Sequence, residues 1–482
     1  MTTSQSAASN PTTVVSTPFG DVRGLDRSAT HVFKGIRFAT AQRFEAPVLI
    51  TDWRTELDAT MYGAQCHQTP GMLERTFGSG SLPMTEDCLF LNVFMPSAHA
   101  DVLRPVLVWI HGGAFVNGSG ATPWYDGSEL ASRADVVVVT VNYRLGAFGY
   151  LGDLNLGTRD QIAALQWVHD AIASFGGDPG NVTIFGESAG GSAVVALLAT
   201  PPATGLFHRA FAMSPSITQL RNAHRASEAE SQFLAAARVS DREQALSLTP
   251  DQMLDAQQLL LRDVGAGFSG FSPTSGTSLI PMPIRRAAAA NPVPLVLGTT
   301  RDEMQMFTAF SPSLAQIDDA TLEAMARARF GDELVATALE AYRSARPTAN
   351  NSQLAAAIQT DETFRVPARL LAEDRAAAGM PTWMYWFTWA STAFGGVLGS
   401  CHAIDVPFAF HNLNKKGVAA FTGESPERTQ VADAYSEAIV GLATTGRAGW
   451  SQFDSTRRST LQVDVVTAVI DDPEPEIRLL WE

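Results

Sequence analysis

The sequence is short of positive charge. Its 482 residues include 34 lysines and arginines against 49 aspartates and glutamates, which gives a formal net charge of −15. No run rich in lysine or arginine reverses this balance locally. Such a chain repels phosphate backbones and anionic lipid head groups. We therefore expect no nucleic acid among its partners.

Long apolar stretches are also absent. The densest apolar run, residues 136–141, has the length of a strand, whereas a membrane-spanning helix needs about 20 apolar residues. The polar residues 1–16 lack the charged start and apolar segment of a secretory signal. We therefore predict a cytoplasmic protein without membrane insertion. Apolar residues still make up 45% of the chain, which is enough for one large core.

Cysteine is scarce as well. The chain has three, Cys66, Cys88 and Cys401, so they cannot all pair with one another. Their spacing suits no zinc site. We expect them to be buried side chains with free thiols.

Short apolar runs alternate with helical patterns along the chain. This alternation is typical of an α/β protein in which helices cover both faces of a mostly parallel sheet. The predicted strands are Val106–Ile110, Val136–Asn142, Val182–Phe185, Ala210–Met213, Leu295–Leu297 and Met384–Trp386. The clearest helix is predicted to begin at Thr158, which has the spacing of a capping box with Gln161.

The segments 220–265 and 312–380 are rich in alanine, glutamate and arginine and contain no long strand pattern. We predict that they are helical excursions above the sheet, where they would form a cap or the wall of a gorge. The chain has neither an internal repeat nor a low-complexity linker. Residues 1–482 are therefore expected to form a single domain.

The first motif with catalytic chemistry is Gly186-Glu187-Ser188-Ala189-Gly190, which follows an apolar strand pattern and precedes a run of small residues. A tight strand-to-helix turn exposes its serine at the carboxyl end of the sheet, and the flanking glycines let neighbouring chain approach. The helix N-terminus favours a developing negative charge. Ser188 is therefore the candidate nucleophile.

A similar tetrapeptide, Gly423-Glu424-Ser425-Pro426, has no strand before its serine. Because proline favours the first position of a helix, we predict Ser425 to be a helix N-cap with Pro426 as the first helical residue.

A second motif, His111-Gly112-Gly113-Ala114-Phe115, directly follows the predicted strand Val106–Ile110. A glycine-rich turn at this place can aim rigid backbone N–H groups at the oxygen of a tetrahedral intermediate. The alternative is a turn that needs glycine only for its backbone conformation.

Together with other segments, these motifs resemble the type B carboxylesterase and cholinesterase family, which includes bacterial para-nitrobenzyl esterases. The resemblance implies an α/β-hydrolase fold, with a central mostly parallel sheet, flanking helices and helical insertions that form a gorge or cap. The segments that carry it are Phe19-Gly20-Asp21-Val22-Arg23-Gly24, Glu86-Asp87-Cys88-Leu89-Phe90-Leu91-Asn92-Val93, Asn142-Tyr143-Arg144-Leu145-Gly146, Phe175-Gly176-Gly177-Asp178-Pro179 and Phe185-Gly186-Glu187-Ser188-Ala189-Gly190-Gly191.

The resemblance also implies a catalytic acid and a catalytic base. Residues 298–303 resemble the family's acid loop, which makes Glu303 the acid and leaves Asp302 as the alternative. Residues 401–408 resemble its histidine loop, which makes His402 the base. His411 has no such motif around it, and His111 precedes the serine although the α/β-hydrolase order is serine, acid, histidine.

These assignments predict a serine esterase. His402 would take the proton of Ser188, and Glu303 would orient the imidazole and stabilise its charged form. By resemblance, the backbone N–H groups of Gly113, Ala114 and Ala189 would bind the oxyanion. A small-molecule ester would then react through an acyl-enzyme with neither metal nor organic cofactor. We expect a monomer or a dimer.

Departures from the family pattern limit the substrate assignment. The loop from His67 to Asp87 contains no tryptophan, which cholinesterases use to bind quaternary ammonium, so choline esters are not expected. Cys66 and Cys88 match a bridged pair of secreted relatives, but a cytoplasmic location would keep them reduced. A carbamate, aryl amide or thioester substrate is an alternative. A second alternative is a non-catalytic binding protein, although such relatives typically lack a triad residue.

Overall fold

A large sheet with a parallel centre is the main element of the fold. The computed structural model describes residues 11–72, 75, 82–263, 270–309, 311, 314 and 316–482. Its strands are β1 Thr12–Thr17, β2 Gly20–Asp26, β3 Thr30–Arg37, β4 Ala39–Thr40, β5 Val48–Leu49, β6 Leu57–Asp58, β7 Phe90–Pro96, β8 Arg104–Ile110, β9 Val137–Val141, β10 Gly177–Glu187, β11 Arg209–Met213, β12 Arg221–Asn222, β13 Thr274–Ser275, β14 Leu295–Thr300, β15 Thr382–Phe387, β16 Thr460–Val463 and β17 Ala468–Ile470.

The strand order of this sheet is β1-β2-β3-β7-β9-β8-β10-β11-β14-β15-β16-β17, and β6 pairs with β2. All neighbours from β9 to β16 in that order are parallel, whereas the edge strands are antiparallel. Every predicted strand lies in this parallel part. The predicted α/β fold is therefore confirmed.

Helices cover both faces of the sheet, so the central strands are buried on both sides. Along β8, Val106, Val108 and Ile110 belong to one apolar core, and the alternating Leu107 and Trp109 belong to the core on the other face. The helices are Ser128–Ala134, Gly146–Tyr150, Leu156–Ala171, Ala189–Leu198, Ala223–Ala237, Arg242–Ala245, Pro250–Asp263, Ile284–Ala290, Gln305–Thr308, Asp319–Ala345, Asn351–Thr360, Val366–Ala377, Val406–Ala409, Val418–Thr422, Arg428–Thr445 and Pro475–Leu479.

The two segments that lack long strand patterns are mainly helical where the structure describes them. Segment 220–265 contains three of the helices and the short strand β12, and its residues 264–265 lie outside the described part. Segment 312–380 contains a long helix that bends at Gly331, where φ is 77°. Its last two helices are joined by the π-helix Asp361–Arg365. Residues 312–313 and 315 lie outside the described part.

Cys66 and Cys88 form a disulfide, so the expectation of free thiols was wrong for this pair. The chain folds back on itself through a bridge between Gln65 and Met84, which brings the two cysteines together. Their Cα atoms lie 5.0 Å apart, a separation that suits a disulfide. Cys401 has a free, buried thiol, as expected.

The predicted start of the clearest helix was also wrong. The helix begins at Leu156, and Asn155 precedes it with a φ of 51°. The Asn155 side chain binds the backbone of Thr274 instead of capping the helix. Thr158 and Gln161 are buried and form no capping box. Among the described residues, no helix is long and apolar enough to cross a membrane.

A buried arginine forms hydrogen bonds with the residues that precede or begin two neighbouring parallel strands, β14 and β15. Arg375 is fully buried, and its guanidinium donates to one hydroxyl and four carbonyl groups around the starts of β14 and β15. These acceptors belong to Thr382, Ala288, Asn291, Val293 and Pro381.

We predict that Arg375→Met lowers the free energy of unfolding by at least about 3 kcal/mol, because it removes the five hydrogen bonds of a buried guanidinium and leaves the carbonyl groups of Asn291 and Val293 without a donor. Arg285→Met is the control, since Arg285 is partly exposed and pairs with Asp374 near the same helix. It should cost less than about 1 kcal/mol. Urea unfolding of both variants measures the difference. Equal losses would contradict this role of Arg375.

Candidate active site

Ser188 lies in a strained turn between β10 and the helix Ala189–Leu198. Its φ is 59° and its ψ is −120°, a conformation that costs free energy in a residue with a side chain. The turn is held because the Ser188 N–H donates to the Met213 carbonyl on β11 at 2.9 Å. The serine therefore stands at the carboxyl end of the parallel strands.

The glycines of this turn are needed for close packing. A Cβ on Gly190 would lie 2.0 Å from the Ile110 carbonyl oxygen, and one on Gly186 would lie 2.5 Å from the same atom. A Cβ on Gly112 would lie 3.2 Å from the Cβ of Ser188. The loop that follows β8 thus passes directly beside the serine.

His402 contacts both other members of the predicted triad. Its Nε2 lies 2.8 Å from the Ser188 Oγ, and its Nδ1 lies 2.5 Å from the Glu303 Oε2. The ring is buried and contacts Phe307 and Phe364, with centroid distances of 5.4 and 4.9 Å. The structure therefore brings the three predicted residues together from three distant parts of the sequence.

Glu303 and Asp302 have different partners, although they are neighbours in the chain. The second carboxylate oxygen of Glu303 accepts from the Thr300 N–H at 2.8 Å, so both of its oxygens are bound. Asp302 accepts instead from the Ser400 N–H at 3.0 Å, and its own N–H donates to the Ser400 carbonyl. Asp302 thus anchors the loop that carries His402, while Glu303 contacts the imidazole.

Two further buried carboxyl groups lie close to this site. The Oε1 of Glu187 lies 3.1 Å from the His402 Nε2. Asp405 accepts hydrogen bonds from the hydroxyl groups of Tyr435 and Tyr385. Burial raises the pKa of Asp405 to about 7. Burial also raises the pKa of Glu187, whereas the positive form of His402 lowers it, so the Glu187 carboxylate and the imidazolium stabilise each other. Sequence reasoning assigned no function to Asp405, and its position three residues after His402 was the available signal.

The nearby carboxyl groups favour the protonated, positively charged form of His402. Burial lowers the pKa of this imidazole, but the nearby charges of Glu187 and Glu303 outweigh it and raise the pKa to about 9. A base with a raised pKa holds an accepted proton more strongly. The arrangement therefore stabilises the imidazolium that a serine nucleophile would generate.

The loop after β8 adopts the left-handed backbone conformation that favours glycine. Gly113 has a φ of 108° and Ala114 a φ of 53°. The Tyr143 hydroxyl holds the loop by donating to the His111 carbonyl at 2.7 Å. Among the described residues, the N–H groups of Gly113, Ala114 and Ala189 have no hydrogen-bond partner. These donors are thus free to bind an oxyanion.

The remaining candidates lie elsewhere or have other partners. His111 is buried against Tyr143, its Nδ1 faces the Gly112 carbonyl oxygen, and burial lowers its pKa to about 4. His411 binds Asp433. Ser425 does not cap a helix, because the helix Arg428–Thr445 begins two residues after the predicted position. In the described part of the chain, no cluster of three or more acidic, histidine or cysteine side chains could hold a metal ion.

Comparison with known proteins identifies the family. Residues 11–470 match the family model described as the carboxylesterase family. The chain belongs to the carboxylesterase family. It is 36% identical to the para-nitrobenzyl esterase of Bacillus subtilis (strain 168), over 96% of this chain and 97% of that protein. It is 32% identical to the phenmedipham hydrolase of Pseudarthrobacter oxydans, over 90% of each chain.

Solved structures support the same conclusion. A thermophilic PNB esterase superposes with a TM-score of 0.84 at 33% identity, over 97% of this carboxylesterase and 99% of that chain. A carboxylesterase of Geobacillus stearothermophilus gives a TM-score of 0.84 at 34% identity, over 97% and 100%. This carboxylesterase is a hydrolase of carboxylic esters with the predicted α/β-hydrolase fold.

The different partners of the two acidic neighbours generate a prediction. Glu303→Gln should lower kcat by at least about 10³-fold, because a neutral amide no longer stabilises the imidazolium or fixes its tautomer. Asp302→Asn should cost about tenfold or less, since an amide oxygen can still accept from Ser400. Steady-state kinetics on one activated ester compare the variants, and a larger loss in Asp302→Asn would reverse the assignment.

Proposed function

We propose that this carboxylesterase cleaves small-molecule esters by nucleophilic catalysis, with Ser188 as nucleophile, His402 as base and Glu303 as the orienting acid. The observation that carries the proposal is the continuous hydrogen-bond chain from the Ser188 Oγ through both nitrogens of His402 to Glu303. The distance of 2.8 Å between the Ser188 Oγ and the His402 Nε2 permits proton transfer between them. The distance of 2.5 Å between the His402 Nδ1 and the Glu303 Oε2 lets the carboxylate hold the ring.

In the first half-reaction, the Ser188 hydroxyl attacks the carbonyl carbon of the ester while its proton moves to the Nε2 of His402. The Glu303 carboxylate holds the Nδ1 proton and stabilises the positive ring. His402 then gives its proton to the leaving alcohol oxygen as the carbon–oxygen bond breaks. An acyl group remains on Ser188.

In the second half-reaction, His402 takes a proton from water, and the resulting hydroxide attacks the acyl carbon. The carboxylic acid leaves as the proton returns to Ser188. Both tetrahedral intermediates carry a negative oxygen, for which we propose the N–H groups of Gly113, Ala114 and Ala189 as donors. The hydrogen bond from the Tyr143 hydroxyl to the His111 carbonyl supports this role, because it holds in place the loop that carries Gly113 and Ala114.

The same triad can attack a carbamate, an aryl amide or a thioester, which stay alternative substrates. Ester preference is supported by the esterase names of the similar proteins. A panel of one acyl group on matched alcohol, thiol and aniline leaving groups measures the preference.

The match of one family model to residues 11–470 supports a single domain. The cytoplasmic location and the monomeric or dimeric state stay predictions.

Ser188→Ala should lower ester turnover by at least about 10³-fold without unfolding the protein, because it removes the hydroxyl that contacts the Nε2 of His402. A serine-directed phosphonate should label the parent once, and peptide mass spectrometry should find the label on Ser188. Ser425→Ala is the matched control and should keep full activity. A label on Ser425, or activity that survives in Ser188→Ala, would contradict the proposal.

The pH dependence of kcat/KM should report the neutral form of His402. Activity should rise from low pH and level off, with the rise centred above the ordinary imidazole pKa of about 6.5, because the two glutamates raise the pKa of His402. Glu187→Gln should move this rise about one pH unit lower, since it removes one of these charges.

The profiles are measured at fixed ionic strength with an ester whose leaving group does not titrate. Glu427→Gln, at an exposed position, is the control and should leave the profile unchanged. A rise that stays in place in Glu187→Gln, or moves to higher pH, would show that Glu187 does not act on His402 through its charge.

A further inference from the structure

The loop after β8 is held by a side chain from a distant part of the sequence. Gln68 is 5% exposed and forms two hydrogen bonds with the backbone of Gly118. The Gly118 N–H donates to the Gln68 Oε1 at 2.7 Å, and the Gln68 Nε2 donates to the Gly118 carbonyl at 2.9 Å. One side-chain amide therefore fixes both the position and the orientation of the Gly118 backbone.

Gly118 in turn packs against the first residues of the same loop. Its φ is 113°, and a Cβ at this position would lie 2.4 Å from the Nδ1 of His111 and 2.5 Å from the Gly112 carbonyl oxygen. The Gly118 backbone is thus in close contact with the two residues that precede Gly113. The place of Gly118 consequently limits where the Gly113 N–H can lie.

Hydrogen bonds within the loop connect Gly113 to the residues just before Gly118. The Gly113 carbonyl accepts from the N–H groups of Val116 and Asn117, each at 3.0 Å. A Cβ on Gly113 would lie 2.2 Å from the Asn117 carbonyl oxygen, so these two residues also pack closely. The loop is therefore a compact turn that contains Gly113 and Ala114, and the amide of Gln68 holds its far end.

Gln68 itself is fixed by the segment that the disulfide closes. Its Nε2 also donates to the Cys66 carbonyl at 3.1 Å, and Cys66 is bonded to Cys88. Both polar atoms of the Gln68 amide thus have partners. A buried polar group whose hydrogen bonds are all satisfied makes its surroundings rigid.

We propose that Gln68 is a positioning residue for the oxyanion donors Gly113 and Ala114. The inference rests on the proposed function, in which Ser188 attacks the ester and these N–H groups bind the resulting oxyanion. The hydrogen bonds of the Gln68 side chain go to Cys66 and Gly118, so it acts through the loop. Stabilisation of an oxyanion requires donors that are fixed before the charge develops, and a misplacement of about 1 Å can cost about 10²-fold in rate.

Gln68→Met keeps the length of the side chain but removes both hydrogen bonds to Gly118. It should lower kcat by about tenfold to a hundredfold and leave KM within about twofold of the parent, because the oxyanion forms only as the reaction proceeds. Gln65→Met is the matched control, since Gln65 lies in the same segment but its side chain donates to the Leu82 carbonyl. Its kcat should equal that of the parent.

A trifluoromethyl ketone gives a readout that a general loss of stability would not move. The Ser188 oxygen adds to its carbonyl carbon, the serine proton passes to His402, and the carbonyl oxygen becomes an oxyanion. Because this adduct resembles the tetrahedral intermediate, its affinity should fall in Gln68→Met by about the same factor as kcat/KM. Gln65→Met should bind the ketone as tightly as the parent.

Phosphonate labelling of Ser188, followed by intact mass, precedes the kinetics. A parent that takes no label would contradict the proposed function, whereas a labelled parent with unchanged kinetics in Gln68→Met would contradict this inference alone. A loss confined to KM, or a lower kcat with unchanged ketone affinity, would also overturn it. If thermal unfolding shows that Gln68→Met does not fold, Gln68→Glu carries the test. Its carboxylate can accept from the Gly118 N–H but cannot donate to the Gly118 carbonyl, so the same two losses are expected.

Discussion

The site depends on one buried imidazole that is bound at both ring nitrogens. Taking His402 out of water disfavours its charged form, yet catalysis by a serine nucleophile requires that form in each half-reaction. The negative charges of Glu303 and Glu187 favour the charged form of the ring and so oppose the effect of burial, because each carboxyl group lies within 3.1 Å of a ring nitrogen. Asp302 positions the same ring indirectly, through the backbone of Ser400. The acidic residues that surround the histidine therefore determine both where it lies and how strongly it holds a proton.

The parallel sheet explains how residues so far apart in sequence meet. Ser188 follows β10, Glu303 follows β14 and His402 lies in the loop after β15, so all three project from the carboxyl ends of parallel strands. The turn at Ser188 is strained, and it persists because Gly186 and Gly190 allow it to pack against the Ile110 carbonyl. The loop after β8 passes beside this serine, and the oxyanion donors that we propose lie in that loop and at the start of the helix Ala189–Leu198.

Features that depend on local sequence could be predicted, whereas those that depend on tertiary packing could not. The buried strands and the tight turn at Ser188 follow from short runs of residues. The pairing of Cys66 with Cys88 depends on how the chain folds back at Gln65. The start of the helix at Leu156 could not be predicted either, because the Asn155 side chain before it binds the backbone of Thr274, which is distant in sequence. The choice between Asp302 and Glu303 rested on resemblance alone, since only their three-dimensional partners distinguish them.

The central claim is that Glu303 binds the Nδ1 proton of His402. Proton NMR with nitrogen-15 labelled histidine tests it directly, because a short hydrogen bond to a carboxylate moves such a proton far downfield and slows its exchange with water. We predict one such resonance in the parent, in Ser188→Ala and in Asp302→Asn, and its loss or a large upfield shift in Glu303→Gln. A resonance that persists unchanged in Glu303→Gln, or disappears only in Asp302→Asn, would contradict the account.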